Sequence, residues 1–111
     1  NIVSCYNYIE NEPRKHDLQL YSTFMGWDNT PRRDITKIGM KPTIFLGPSP
    51  QAFEQHIKSM VIKIIKNPNV GINWLILNAW NEWNEQTMLE PNSSDGYKYL
   101  KAVKKVFEEY Y

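Results

Sequence analysis

Asn73-Trp74-Leu75-Ile76-Leu77-Asn78-Ala79 reads as a strand whose central run, Trp74 to Leu77, does not alternate. An unbroken apolar run is expected of a strand buried on both faces of a parallel sheet. Just upstream lies a helix signal. Ser49 is a good N-cap and Pro50 suits the first helical position. Phe53, Ile57, Met60, Val61, Ile64 and Ile65 then recur at helical spacing, with Lys58, Lys63 and Lys66 outside the stripe. His56 falls on the polar side, and Asn67-Pro68 stops the helix. Helix, buried strand, long loop and helix in that order predict an α/β fold with parallel strands.

Working outward, Ile2 to Ile9 is rich in β-branched and aromatic residues and predicts a strand holding Cys5 as a small buried residue. Tyr6 and Tyr8 alternate with Asn7 along it. Glu10 to Asp17 predicts a loop, Leu18 to Met25 a second strand, and Trp27 to Arg33 a loop. Thr43 to Leu46 predicts a short third strand, stopped by Gly47-Pro48. Asp95 is expected to cap a last helix with the stripe Leu100, Val103, Phe107 and Tyr110. In α/β folds chemistry sits in loops at the carboxyl ends of strands. The Trp27–Arg33 and Asn78–Pro91 loops both lie there, so two separate loops can converge on one ligand.

With 111 residues the chain fits one small domain, and a hydrophobic content of 41% suits a packed core. Lys+Arg 13 against Asp+Glu 12 gives a charge of +1, which lends a nucleic-acid partner no electrostatic support. One cysteine excludes an intrachain disulfide and fits a reducing, cytoplasmic compartment. No stretch is long and apolar enough to span a membrane. Starting at Asn1 without a methionine, the chain reads as a piece of a longer protein, with any targeting signal upstream. Asn92-Ser93-Ser94 matches a glycosylation acceptor, and equally a polar turn.

The loop after the buried strand carries the chemistry. Asn78-Ala79-Trp80-Asn81-Glu82-Trp83-Asn84-Glu85-Gln86-Thr87-Met88-Leu89-Glu90-Pro91 sets two carboxylates three residues apart among indoles and amides. Glycoside cleavage needs two carboxyl groups, one to protonate the leaving oxygen and one as nucleophile, base or activator. Close like charges beside low-dielectric rings push two such acids apart in pKa. Tryptophans offer a flat face to a sugar ring, and Asn78, Asn81 and Asn84 offer hydrogen bonds to hydroxyls. A bare Glu-x-x-Glu is common on ordinary helices; two Trp, three Asn and two Glu within eight residues are not common in a plain solvated turn.

These residues carry a family resemblance. Asn-Ala-Trp-Asn-Glu-Trp-Asn-Glu, then Leu89-Glu90-Pro91 and Gly96-Tyr97-x-Tyr99-Leu100, resembles the C-terminal part of the WbsX-type family. Gly26-Trp27-Asp28-Asn29-Thr30-Pro31-Arg32-Arg33 resembles that family's second recurring block. WbsX-type proteins are polysaccharide-associated, described as glycosyltransferases, and similar to glycoside hydrolase family 99. The resemblance implies the last strands and helices of a (β/α)8 barrel, so residues 1–111 would form one partial domain. It implies Glu85 as general acid/base and Glu82 as the group that assists the substrate's 2-hydroxyl, through a 1,2-anhydro sugar with net retention. The hydrolases of that class cleave internal α-mannoside linkages. Asn84 stands where they have His, and Gln86 where both groups have Gly.

Trp27, Asp28 and Arg32, with Trp80, Asn81 and Trp83, form the expected sugar-contact set. Trp27 would stack, Asp28 would bind hydroxyls, and Arg32 would orient a carboxylate or an anionic sugar. Asn29 stays open between sugar contact and turn cap. His16 and His56 have no metal-ligand spacing, and no metal or organic cofactor is expected. Glu90 reads as a supporting partner or salt-bridge residue. The expected partners are a glycan or polysaccharide and, for the sheet, the rest of a barrel upstream or a second copy of the chain. Besides a retaining glycosidase, a glycan-binding or surface-polysaccharide assembly protein and a glycosyltransferase remain open.

Overall fold

Asn1 closes the first turn of a helix rather than opening a strand. Its Oδ1 accepts the Val3 N–H at 2.8 Å, and α1 runs from Ile2–Asn11. This computed structural model describes residues 1–34, 36–37, 39, 41–69 and 71–111. The strand expected over Ile2 to Ile9 is therefore corrected to a helix. Ile2, Tyr6 and Ile9 share one helical face, and burying that face outweighs the β-branched composition. Tyr6 fixes the helix in place. Its ring stacks on His56 with centroids 4.0 Å apart, and its hydroxyl donates to the Phe24 and Met25 carbonyls at 2.9 and 3.2 Å. Cys5 lies half-buried on this helix, and burial pushes its thiol pKa up. Tyr8 points to solvent.

The second helix, α2 (Pro50–Lys66), begins as the sequence predicts. Ser49 Oγ accepts the Ala52 N–H at 3.1 Å, and Pro50 takes the first position. Its buried face is Phe53, His56, Ile57, Met60, Val61 and Ile64. Two expectations shift by a rotation of the helix: Ile65 is exposed, and His56 is buried rather than on the polar side. His56 is held inside by hydrogen bonds. Its Nε2 lies 2.6 Å from Thr23 Oγ1, and its Nδ1 lies 2.6 Å from Glu10 Oε1. With a neutral ring, Nδ1–H donates to the carboxylate and Nε2 accepts from the Thr23 hydroxyl. Burial pushes the His56 pKa down, partly opposed by Glu10.

Strands β1 (Tyr21–Phe24) and β2 (Leu75–Asn78) pair in parallel, from Tyr21↔Leu75 to Phe24↔Asn78, with α2 as the crossover between them. Helices cover one face of this pair. Tyr21, Thr23, Leu75 and Leu77 turn toward them, while Ser22 and Ile76 turn away. The α/β class with parallel strands is found. The two-face burial expected of Trp74 to Leu77 is corrected, because Trp74 is 65% and Ile76 45% exposed. Ile76 lies on the face of β2 that no helix covers, and Trp74 precedes the paired strand.

The last helix, α3 (Lys98–Tyr110), packs on α2. Tyr97 is its N-cap. Asp95 contributes its carbonyl, which accepts the Lys98 N–H at 3.1 Å, and not its side chain as expected. The buried face is Tyr99, Ala102 and Val106, flanked by Val103 and Tyr110. The predicted stripe is thus about one residue out of phase, and Phe107 lies exposed. Tyr99 sets the rotation by docking edge-on against Phe53 with centroids 5.5 Å apart. Ion pairs Lys58–Glu109 (2.6 Å) and Lys105–Glu54 (2.5 Å) rim the same helix pair.

Thr43 to Leu46 joins neither sheet strand, which corrects the third-strand expectation. It runs beside the loop after β1 through a bridge between Asp28 and Ile44. Phe45 N–H donates to the Trp27 carbonyl at 2.8 Å, and Thr43 N–H to Asn29 Oδ1 at 2.8 Å. This segment braces the loop after β1 instead of widening the sheet.

Candidate functional site

Because β1 and β2 are parallel and in register, the loops that follow them leave the same end of the sheet. The loop after β2 folds back as a small hairpin. Strand β3 (Asn81–Glu82) pairs antiparallel with β4 (Thr87–Met88), and a 3-10 turn over Trp83–Glu85 forms the tip. Glu82 is the N-cap of that turn. The peptide between Asn78 and Ala79 is cis. Thr87 is fully buried beneath the tip and donates its hydroxyl to the Asn78 carbonyl at 2.6 Å. Gln86 closes the turn in the left-handed region at φ 51, with its Nε2 donating to the Trp83 carbonyl at 2.8 Å. Glycine is the usual residue there, since a Cβ makes that conformation costly.

The loop after β1 reaches the same tip. Gly26 allows the approach: a Cβ on it would lie 3.2 Å from the Gln86 carbonyl oxygen and 3.3 Å from Pro48 Cβ. Asp28 N–H donates to the Glu85 carbonyl at 2.8 Å. Arg32, at the end of a 3-10 turn over Thr30–Arg32, sets its guanidinium on the Glu85 carboxylate. The carboxylate is largely covered, at 15% side-chain exposure, and Arg32 half-exposed at 50%. The convergence expected of the two loops is present, and an ion pair joins them.

Each predicted residue has a definite place. Glu85 is paired with Arg32 through Oε1, leaving its second oxygen without a hydrogen bond among the described residues. Glu82 is exposed, one turn earlier. The Trp83 indole N–H donates to Glu90 Oε2 at 2.8 Å, which fixes the ring. Trp80 and Asn81 lie exposed on the hairpin, Trp80 receiving the Leu89 and Glu90 N–H groups on its carbonyl. Trp27 is half-buried. Asp28 Oδ1 accepts both the hydroxyl and the amide of Thr30, and these bonds hold its pKa below the usual carboxylate range. Asn29 is buried and its Oδ1 accepts the Thr43 N–H across the loop, so its side chain caps no turn; Asp28 does that through Thr30. Glu90, read from the sequence as a supporting partner, anchors the indole, whereas the Thr87 strut carries no sequence signal of its own, since it depends on a fold-back that hydrophobic periodicity does not encode. No group of three or more metal-ligating side chains occurs among the described residues.

The chain is 35% identical over 79 residues to the uncharacterised protein WxcX of Xanthomonas campestris pv. campestris strain B100, and equally to WxcX of a second strain. Those alignments cover 71% of this chain and 11% of the relatives, so the chain spans about a tenth of their length. No solved structure matches. A family model described as Glycosyltransferase WbsX matches residues 2–103. With both site loops inside that match, the chain belongs to the WbsX glycosyltransferase family.

Proposed function

We propose that the converged loops form the carboxylate centre of a glycan-processing enzyme, with Glu85 as acid/base and Glu82 as its partner. The carrying observation is the meeting of Glu85 and Arg32 from separate loops at the carboxyl ends of paired parallel strands. In this reading Glu85 gives a proton to the departing glycosidic oxygen while the sugar's own 2-hydroxyl closes on C1. Glu82 takes the hydroxyl proton. Glu85 then deprotonates the incoming acceptor, which opens the 1,2-anhydro ring at C1, and Glu82 returns the proton to the 2-oxygen. Water as acceptor gives a hydrolase, and a sugar hydroxyl gives a transferase, the activity that the family's description favours. Arg32 orients Glu85 through Oε1 and leaves the other oxygen for the proton. Trp80, Trp83 and Trp27 supply stacking faces, and Asn81 and Asp28 polar contacts.

The strand pair fits the same reading as two neighbouring strands of a (β/α)8 barrel. Support comes from the parallel crossover through α2 and from Ile76, exposed on the side of β2 without helix cover, since parallel sheets are covered on both faces. Residues 1–111 are then one part of that domain.

A second reading is a glycan-binding or assembly protein without turnover. The pairing of Glu85 with a guanidinium favours it, because a carboxylate occupied by a cation also serves a purely structural bridge. The deciding experiment incubates the full-length protein with a panel of surface polysaccharides and follows the products by NMR. Retained anomeric configuration, with turnover reduced by about 100-fold or more in Glu85→Gln, supports the enzyme. Unchanged turnover in both Glu82→Gln and Glu85→Gln sinks it. Binding without product moves the assignment to the second reading.

A further inference from the structure

Behind the hairpin lies a recess of about 340 Å³ that Glu82, Glu85 and Arg32 do not line. That volume is at the lower end of the range usual for small-ligand sites. Its walls divide by chemistry. Met25, Met88 and Trp83 are apolar residues, while Ser94 and Asp95 from the turn before α3, with Tyr99 from α3, are polar. The turn is firmly built. Asn92 Oδ1 accepts the Ser94 and Asp95 amides at 3.0 and 2.8 Å, and Gly96 N–H donates to the Asn92 carbonyl at 2.8 Å. These bonds confirm Asn92-Ser93-Ser94 as a polar turn. Among the described residues no hydrogen bond engages the Asp95 carboxylate, the Ser94 hydroxyl or the Tyr99 hydroxyl. Burial, with the Asp95 charge beside it, pushes the Tyr99 pKa up to about 12, so its hydroxyl is a donor at neutral pH.

We infer that this recess is a second sugar subsite, which takes a neutral pyranose unit of the same glycan whose neighbouring linkage lies at Glu82 and Glu85. This inference rests on the glycan reading above. A pyranose has an apolar C–H face and a rim of hydroxyls, and the recess pairs an indole and thioethers with a carboxylate and hydroxyls. Trp83 belongs both to the turn that carries the two glutamates and to the wall of the recess, so one chain can pass from one to the other. Glu90 holds the indole N–H, which keeps that wall in one orientation. The Asp95 carboxylate discriminates by charge. It accepts hydrogen bonds from hydroxyls and repels the carboxylate of a uronate.

The test uses calorimetric titration of the full-length protein with mono- to tetrasaccharides of mannose, glucose, rhamnose and N-acetylglucosamine, and with a uronate-containing tetrasaccharide. The wild type is expected to bind neutral chains more tightly as they lengthen. Ser94→Trp, which fills the recess from an exposed turn, and Asp95→Ala should each remove that gain, weakening the best tetrasaccharide by about tenfold. Asp95→Asn, which preserves shape, should narrow the preference for neutral over uronate chains. Length-dependent affinity that survives both Ser94→Trp and Asp95→Ala overturns the subsite and leaves the glycan reading intact. Absence of binding to every saccharide overturns both.

Discussion

Gln86 shows what one residue contributes at the tip of the hairpin. Its φ of 51 is unfavourable for a side chain with a Cβ, and its amide partly offsets this through the Trp83 carbonyl. Gln86→Gly is expected to be more stable than Gln86→Ala by about 1 kcal/mol, measured by chemical denaturation, because Ala keeps the strain and loses the hydrogen bond. In the proposed enzyme Arg32 acts on position rather than on stability. A half-exposed ion pair contributes no more than about 1 kcal/mol, so Arg32→Ala should leave the melting transition nearly unchanged. It should lower kcat/KM by about tenfold or more by releasing Glu85. An unaltered kcat/KM in Arg32→Ala would remove Arg32 from the site. His56 gives a pH signature. Its folded pKa lies below its unfolded value of about 6.5, so the unfolded chain binds more protons between the two. Stability is then full above about pH 6.5 and is lost as pH falls toward the depressed folded value. His56→Gln should flatten that slope in melting curves recorded from pH 7 down to 5. The candidates at this scale were legible: Glu82, Glu85 and Trp83 stand out by residue type and spacing, and Arg32 by the family resemblance. Their partners were not, since Arg32 meets Glu85 across 53 positions of sequence.

At the scale of elements, capping and crossover matter more than propensity. The N-terminus of α2 was legible because a Ser-Pro start is a local signal. The identity of α1 was not, because Ile2 to Ile9 satisfies both a strand composition and an i, i+4, i+7 stripe, and only its neighbours choose between them. Lys63 makes the choice firm from the other end. Its ammonium donates to the Ile9, Glu10 and Glu12 carbonyls at 3.2, 2.8 and 2.6 Å and lies 4.8 Å from the Tyr21 ring centroid. A cation there satisfies carbonyls that the helix end leaves free and complements its dipole. Lys63→Met should cost about 1.5–3 kcal/mol, with hydrogen exchange accelerated most in the last turn of α1. Exchange unchanged in that turn would show the ammonium to be dispensable. Within the α2–α3 pair, Phe53 is fully buried against Tyr99, so Phe53→Ala should cost about 3–5 kcal/mol by denaturant titration.

For the molecule as a whole, the open face of β2 is the telling feature. Ile76 is an exposed apolar residue on the side where the parallel pair has no helix cover. A barrel in the full-length protein would bury Ile76. There Ile76→Asp should cost more than about 3 kcal/mol, against about 0.5 kcal/mol or less for a residue that stays at the surface. The smaller figure would exclude the barrel. No described helix is long and apolar enough to cross a membrane. The sequence by itself determined the class of fold, the start of α2 and the two loops at one end of the sheet, and it proposed the carboxylate pair. Those rest on local signals: an unbroken apolar run, a cap, a proline stop, and acids beside indoles. Tertiary structure alone decided that Ile2–Asn11 is a helix, which face α3 buries, that residues 43–46 brace a loop, and that Arg32 holds Glu85. Each of these depends on what packs against the element from a distant part of the chain, and hydrophobic periodicity leaves that contact unspecified.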